Sequence, residues 1–261
     1  MRRRLDATRS FLAVILDMDG LMLDTEIIGF QAWQRAAQDF GWSVSDEQYL
    51  QLIGATDQDA WAALTSWWQA RPGARGSLRA IWERAAGYAS AQTPAVKDGL
   101  GDLLGWARRE QVPLAVGSSS GRATIIARLR EAGVRAAFDV IAGGNEVAHG
   151  KPAPDVFLLA AERLGCEPRE CVVIEDSDHG INAAYAAGMT PFLVPDSSIP
   201  RVIPPDIRAK AYMTCESLIE VLGVLEQASA VASGRPLASP GLAYLAYSVA
   251  GARAPGQLPT P

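Results

Sequence analysis

Short apolar runs without a helical period recur along the chain, and most are followed by stretches in which apolar residues return every three or four positions. The runs are Phe11–Leu16, Val112–Val116, Phe138–Ile141, Cys171–Ile174 and Pro191–Val194. The helical patterns are Gly99–Arg109, Arg122–Ala132, Pro154–Leu164 and Gly180–Ala187. Strands with no polar face are buried on both sides, and their alternation with helices predicts an α/β fold, a doubly wound parallel sheet with helices on both faces.

One interval breaks the rhythm. Residues 25–93 hold no strand pattern and predict helices at Ile27–Phe40, Ser45–Leu52, Asp57–Trp68 and Leu78–Ser90. Ser45, with Gln48 three residues on, is a capping box at one of these helix starts. Six of the seven tryptophans (Trp33, Trp42, Trp61, Trp67, Trp68, Trp82) fall in this interval. Such a stretch is too long for a crossover and predicts an inserted all-helical domain. At helical spacing its tryptophans are expected to form a core of their own in preference to a stacking platform for a ligand. The chain then divides into a core, 10–24 with 94–226, a helical insert, 25–93, and an extension, 227–261, rich in Ala, Gly, Pro and Ser. That composition suits loose order, although Leu242–Val249 is apolar enough to dock as a short helix.

Composition narrows the functional classes. An apolar fraction of 49% over 261 residues supports a packed interior. A net charge of −5 gives no electrostatic footprint for nucleic acid or an anionic membrane. Cys166, Cys171 and Cys215 have no metal-ligand spacing and predict free thiols in a reducing, cytoplasmic setting. Met1-Arg2-Arg3-Arg4 followed by an apolar run imitates a secretory signal, but the run is short and lacks a small-residue cleavage site. No apolar run reaches the length of a membrane span. A monomer or weak dimer is expected.

The chemistry gathers at the ends of the strand patterns. The first run stops on Asp17-Met18-Asp19-Gly20. In an open α/β sheet, ligands bind beyond the carboxyl ends of strands, and two carboxylates placed there are costly unless used; an Asx turn is the plain alternative. Gly117-Ser118-Ser119-Ser120-Gly121 opens a helix, either as an anion site or as an ordinary N-cap. Lys151 lies in Gly150-Lys151-Pro152, where a solvated lysine is the plain alternative. Glu175-Asp176-Ser177-Asp178 ends another strand, where acids also suit a helix start. Taken together, the four put three carboxylates, a hydroxyl and an ammonium on one edge of the sheet. A magnesium ion turns such carboxylates into an oxygen cage open to water and phosphate.

In their order and spacing these segments resemble the haloacid dehalogenase superfamily, specifically the β-phosphoglucomutase-like phosphatases with a helical cap after the first strand. The resemblance covers about residues 11–226. It rests on Asp17-Met18-Asp19-Gly20-Leu21-Met22-Leu23-Asp24-Thr25-Glu26 as the first motif, Ser118 as the second, Lys151 as the third and Glu175-Asp176 as the fourth. It implies a Rossmann-like core and a phosphoric monoester hydrolase acting on small phosphorylated metabolites. Asp17 resembles the nucleophile that forms an aspartyl-phosphate, and Asp19 the general acid and base. Asp17, the backbone carbonyl of Asp19 and Asp176 resemble the Mg²⁺ ligands, with Glu175 holding a metal-bound water. Ser118, Ser119 and Lys151 match the grip on the phosphoryl group, and Asp24 and Thr25 lie where the chain leaves for the cap. Asp178 is expected to be a solvated helix start.

Asp19 argues against dehalogenation, since a leaving halide needs no proton. The alternatives within reach are a sugar phosphomutase and a non-enzymic binding protein on the same scaffold. Mutases of this family carry a cap arginine where this chain has Asp57, and a histidine where it has Gly29. Both departures favour the phosphatase. Arg122, just after the serine loop, is the candidate for touching a distal anion, or else a surface helix residue.

Overall fold

The computed structural model describes residue 11 and residues 13–52, 57–70, 77–199 and 202–232. The chain before Phe11 and the segment Leu242–Val249 lie outside these residues.

Six parallel strands form one sheet: β1 (Ala13–Leu16), β2 (Leu114–Ser118), β3 (Val140–Gly143), β4 (Cys171–Glu175), β5 (Thr190–Leu193) and β6 (Met213–Thr214). Their spatial order is β3-β2-β1-β4-β5-β6. From β1 the chain builds outward through β2 and β3, then returns to the other side of β1 for β4, β5 and β6. The switch point therefore falls between β1 and β4, where an open α/β sheet leaves a crevice beyond its carboxyl edge.

Every residue of β1 is fully buried, and the two-residue period divides them between two cores. Val14 and Leu16 pack with Val116, Ile174 and residues of α5 (Leu100–Glu110), α6 (Arg122–Glu131) and α10 (Leu218–Ala232). Ala13 and Ile15 pack with Ala115, Val173 and residues of α7 (Asp155–Leu164) and α8 (Asp178–Ala186). Helices thus cover both faces of the sheet.

Between β1 and β2 come α1 (Thr25–Asp39), α2 (Asp46–Leu50), α3 (Asp57–Gln69) and α4 (Leu78–Ser90). The Ser45–Gln48 capping box closes reciprocally at the start of α2. Their core is separate, built on Ala36, Ala37, Leu64 and Ile81. Edge-on tryptophan contacts run through it, Trp33 against Trp42 and Trp82, Trp42 against Trp68, and Trp61 against Trp82. The outgoing and returning chains meet where Leu23 bridges Val96. There the Lys97 ammonium binds Asp24, and Asp196 at 2.6 Å.

Three differences from the sequence pattern have simple causes. β2 extends to Ser118 because Gly117 and Ser118, neither of them apolar, pair with Ala142 and Gly143 of β3. β6 is two residues long, too short to register as a run. The short helix α9 (Pro205–Lys210) and the longer α10 follow β5, and α10 continues through Gln227 to Ala232, so the extension does not begin at 227. Gln227 and Ala228 are buried there. Among the described residues no helix is long and apolar enough to cross a membrane.

Candidate active site

β1 and β4 are paired neighbours, with Leu16 in register with Ile174. The next residues on each strand are therefore side by side at the switch point, and they are Asp17 and the pair Glu175-Asp176. Carboxylate oxygens of Asp17, Glu175 and Asp176 all lie within 4.8 Å of one another, and all three residues are buried.

Lys151 enters from the loop before α7, with its side chain 1% exposed. Its Nζ donates to Asp17 Oδ1 at 2.5 Å and to Glu175 Oε1 at 2.7 Å, and stands 4.6 Å from the centre of the Phe157 ring. The other Glu175 oxygen accepts from the Ser177 N–H at 2.7 Å and its hydroxyl at 2.9 Å. Both glycines nearby are required. A Cβ on Gly180 would lie 1.7 Å from Glu175 Oε1, and one on Gly20, whose φ is +80°, would lie 2.5 Å from Asp176 Oδ2.

Asp19 faces the serine loop between β2 and α6. Its Oδ2 accepts from Ser120 Oγ at 2.9 Å and from Ser118 Oγ at 3.4 Å. Ser118 Oγ in turn accepts the Ser120 N–H at 3.1 Å. A cavity of about 220 Å³ opens above these groups. Asp17, Asp19, Ser118, Ser119, Ser120 and Asp176 line it on the core side, and Thr25, Glu26, Ile28, Gly29, Leu52 and Ala89 on the helical side. Lys151 and Glu175 lie beneath it.

The electrostatics follow from burial. Desolvation raises the Asp17 carboxyl to about 7; Lys151 opposes this, while Glu175 and Asp19 add to it. Desolvation also works against the Glu175 charge, but Lys151 and Ser177 outweigh it and hold the pKa below the ordinary value. Burial disfavours the Lys151 ammonium too, yet Asp17 and Glu175 raise its pKa above the usual lysine value. Three buried carboxylates thus face one buried ammonium. The excess of negative charge on an all-oxygen donor set fits a hard divalent cation.

The structure gathers Asp17, Asp19, Ser118, Ser119, Lys151, Glu175 and Asp176 at one place. Arg122, read as either a distal contact or a surface helix residue, is exposed on α6, with Glu146 3.8 Å away. Ser120 and Ser177 were legible only as parts of motif segments; their bonds to Asp19 and Glu175 depend on loop geometry. Arg128, on α6, also lines the cavity, and no motif marks it.

A family profile described as haloacid dehalogenase-like hydrolase matches residues 14–194. The fructose-1-phosphate phosphatase YqaB of Escherichia coli is 36% identical over 181 residues, 69% of this chain and 94% of the relative. A phosphorylated carbohydrates phosphatase of Thermotoga maritima is 29% identical over 180 residues, 68% and 82% of the two chains. Among solved structures, a haloacid dehalogenase family hydrolase from Deinococcus radiodurans with bound phosphate and sodium superposes with a TM-score of 0.69. It is 28% identical, over 87% of this chain and 98% of that one. The chain belongs to the haloacid dehalogenase-like hydrolase family. It has that family's parallel-sheet core, and its relatives include enzymes named as phosphatases of phosphorylated sugars.

Proposed function

We propose that this protein is a magnesium-dependent phosphatase of small sugar- or polyol-phosphate-like metabolites, working through an aspartyl-phosphate on Asp17. The observation that carries the reading is the convergence of Asp17, Asp19, Lys151 and Asp176 at the β1/β4 switch point, under a cavity of small-molecule size. The phosphatase names of the relatives support it.

Asp17, Asp176 and the Asp19 backbone carbonyl would hold the cation, with Glu175 positioning a water on it. When bound, the cation neutralises charge on the phosphoryl group and on Asp17. Lys151 keeps Asp17 oriented and ionised from below. An Asp17 oxygen attacks phosphorus, the ester P–O bond breaks, and Asp19 gives its proton to the departing alcohol. Asp19, now a carboxylate, takes a proton from water; that water's oxygen attacks phosphorus and releases Asp17. Ser118 and Ser120 hold the Asp19 carboxyl on the leaving-group side, and Ser118, Ser119 and Lys151 stabilise the phosphoryl oxygens. Helices α1–α4 serve as the cap that screens the site, hinged where Leu23 meets Val96. The surroundings of its free thiols would be the cytoplasm.

Gly29 supports a phosphatase over a mutase. It carries no side chain to act on a second phosphate, and a Cβ there would lie 2.6 Å from the Tyr49 hydroxyl, which would have to shift. Product analysis by phosphorus NMR tests the reading. Free phosphate is expected from sugar monophosphates, without stimulation by a sugar bisphosphate; accumulation of a positional isomer would reverse it.

A further inference from the structure

We propose that Arg128 reads a second anionic group on the substrate, so that the preferred substrates are short phosphate monoesters carrying a second phosphate or a carboxylate at the other end. The proposal rests on the phosphatase reading and gives it a substrate class.

Arg128 lines the same cavity as Asp17, Asp19 and Asp176. It is half-buried, and among the described residues its side chain has no hydrogen-bond or ion-pair partner. None of the neighbouring cations faces the distal part of this cavity. Lys151 is bound by Asp17 and Glu175 at the phosphoryl end, Lys97 by Asp24 and Asp196, and Arg122 is exposed with Glu146 3.8 Å away. Arg128 is therefore the charge that a second anion in this cavity would meet.

Its position separates it from the phosphoryl end. Six residues along α6 from Arg122, it lies about 9 Å down the helix axis from the serine loop's exit. The acid that could repel an anionic tail, Glu26, stands at the other end: its Cγ lies 3.2 Å from the position of a Gly20 Cβ, beside Asp176. Leu52, Ile28 and Ala89 contribute uncharged wall. The volume of about 220 Å³ is of small-molecule size and gives room for a short carbon chain between the phosphoryl end and Arg128. A planar guanidinium binds phosphate or carboxylate through paired N–H donors. It thus offers on the core a cationic grip that Gly29, lining the helical side of the cavity, cannot offer.

The test compares kcat/KM within two substrate pairs for the full chain: glycerol 3-phosphate against 3-phosphoglycerate, and fructose 1-phosphate against fructose 1,6-bisphosphate. The native protein is expected to favour the charged member of at least one pair by about ten-fold or more, mainly through KM. A preference in the first pair alone assigns a carboxylate, in the second alone a phosphate. Arg128→Gln should bring that ratio towards one, and Arg128→Lys should retain part of it. Because each ratio is taken within one variant, a general loss of folded enzyme cancels. Equal kcat/KM within both pairs, or a preference that survives Arg128→Gln, overturns the inference and leaves the phosphatase reading standing. No phosphate release from any of the four by the native protein overturns both.

Discussion

The Lys151 ammonium lies 2.5 Å from Asp17 Oδ1, an ion pair joining a loop to a strand end 134 positions away in sequence. Both side chains are almost wholly buried, and the same ammonium also neutralises Glu175. Removing it leaves two carboxylates facing each other in a dry site. Lys151→Met should therefore cost about 3–5 kcal/mol in urea unfolding without added metal, as well as activity. Near-native stability would mean that the pair is more solvated than its geometry implies.

Asp17→Asn keeps the size of the side chain but removes the attacking oxygen's charge. Its turnover should fall roughly a thousand-fold or more. Asp19→Asn should be similarly impaired while keeping its metal affinity, since its backbone oxygen is the expected ligand. Trapping and mass analysis of a phosphorylated protein should succeed with the native chain and fail with Asp17→Asn.

Metal binding should also be readable without turnover. Three buried carboxylates against one ammonium predict that Mg²⁺ stabilises the folded chain, so its melting temperature should rise with Mg²⁺ concentration. Asp176→Asn should blunt that rise. Chelation should abolish phosphate release and Mg²⁺ restore it, with Ca²⁺ a poor substitute because of its larger, looser coordination.

The clasp at the root of the helical insert gives a pH signature. Burial disfavours the Lys97 charge, but its bonds to Asp196 and Asp24 outweigh this and raise its pKa above 10.5. A raised lysine pKa means that the folded state holds the proton more tightly than the unfolded chain. The resulting stabilisation is complete below the unfolded pKa and is lost as pH rises through the folded one. Lys97→Met should accordingly be less stable than the native chain at neutral pH, by about 1–3 kcal/mol, and the gap should narrow in the alkaline range above pH 10.5. A gap independent of pH would assign the effect to packing.

The end of α10 is a further test. Beyond Glu226, Gln227 and Ala228 are buried and Val231 packs against the core that α5 shares. A chain ending at Glu226 should therefore melt well below one ending at Ala232. Equal melting temperatures would make residues 227–232 dispensable.

The sequence by itself determined the class of fold and the chemical inventory of the site. Five of the six strands are buried almost throughout, so each carries a short apolar run that the sequence pattern shows. The carboxylates, serines and lysine follow such runs, or precede helix starts, because chemistry in a parallel sheet collects at strand ends. What escaped had no local signature. β6 is two residues long, and α10 runs into Ala- and Ser-rich sequence whose burial depends on α5. Only the tertiary structure decided which strands are neighbours. The β1/β4 pairing sets Asp17 beside Glu175 and Asp176, and no spacing along the chain encodes that adjacency. It also decided which arginine faces the cavity. Arg122 and Arg128 sit on one helix, six residues apart, and look alike in sequence. One is exposed near Glu146, which Arg163 also binds, and the other lines the cavity, because a side chain's surroundings are set by what packs against its helix and not by the helix itself.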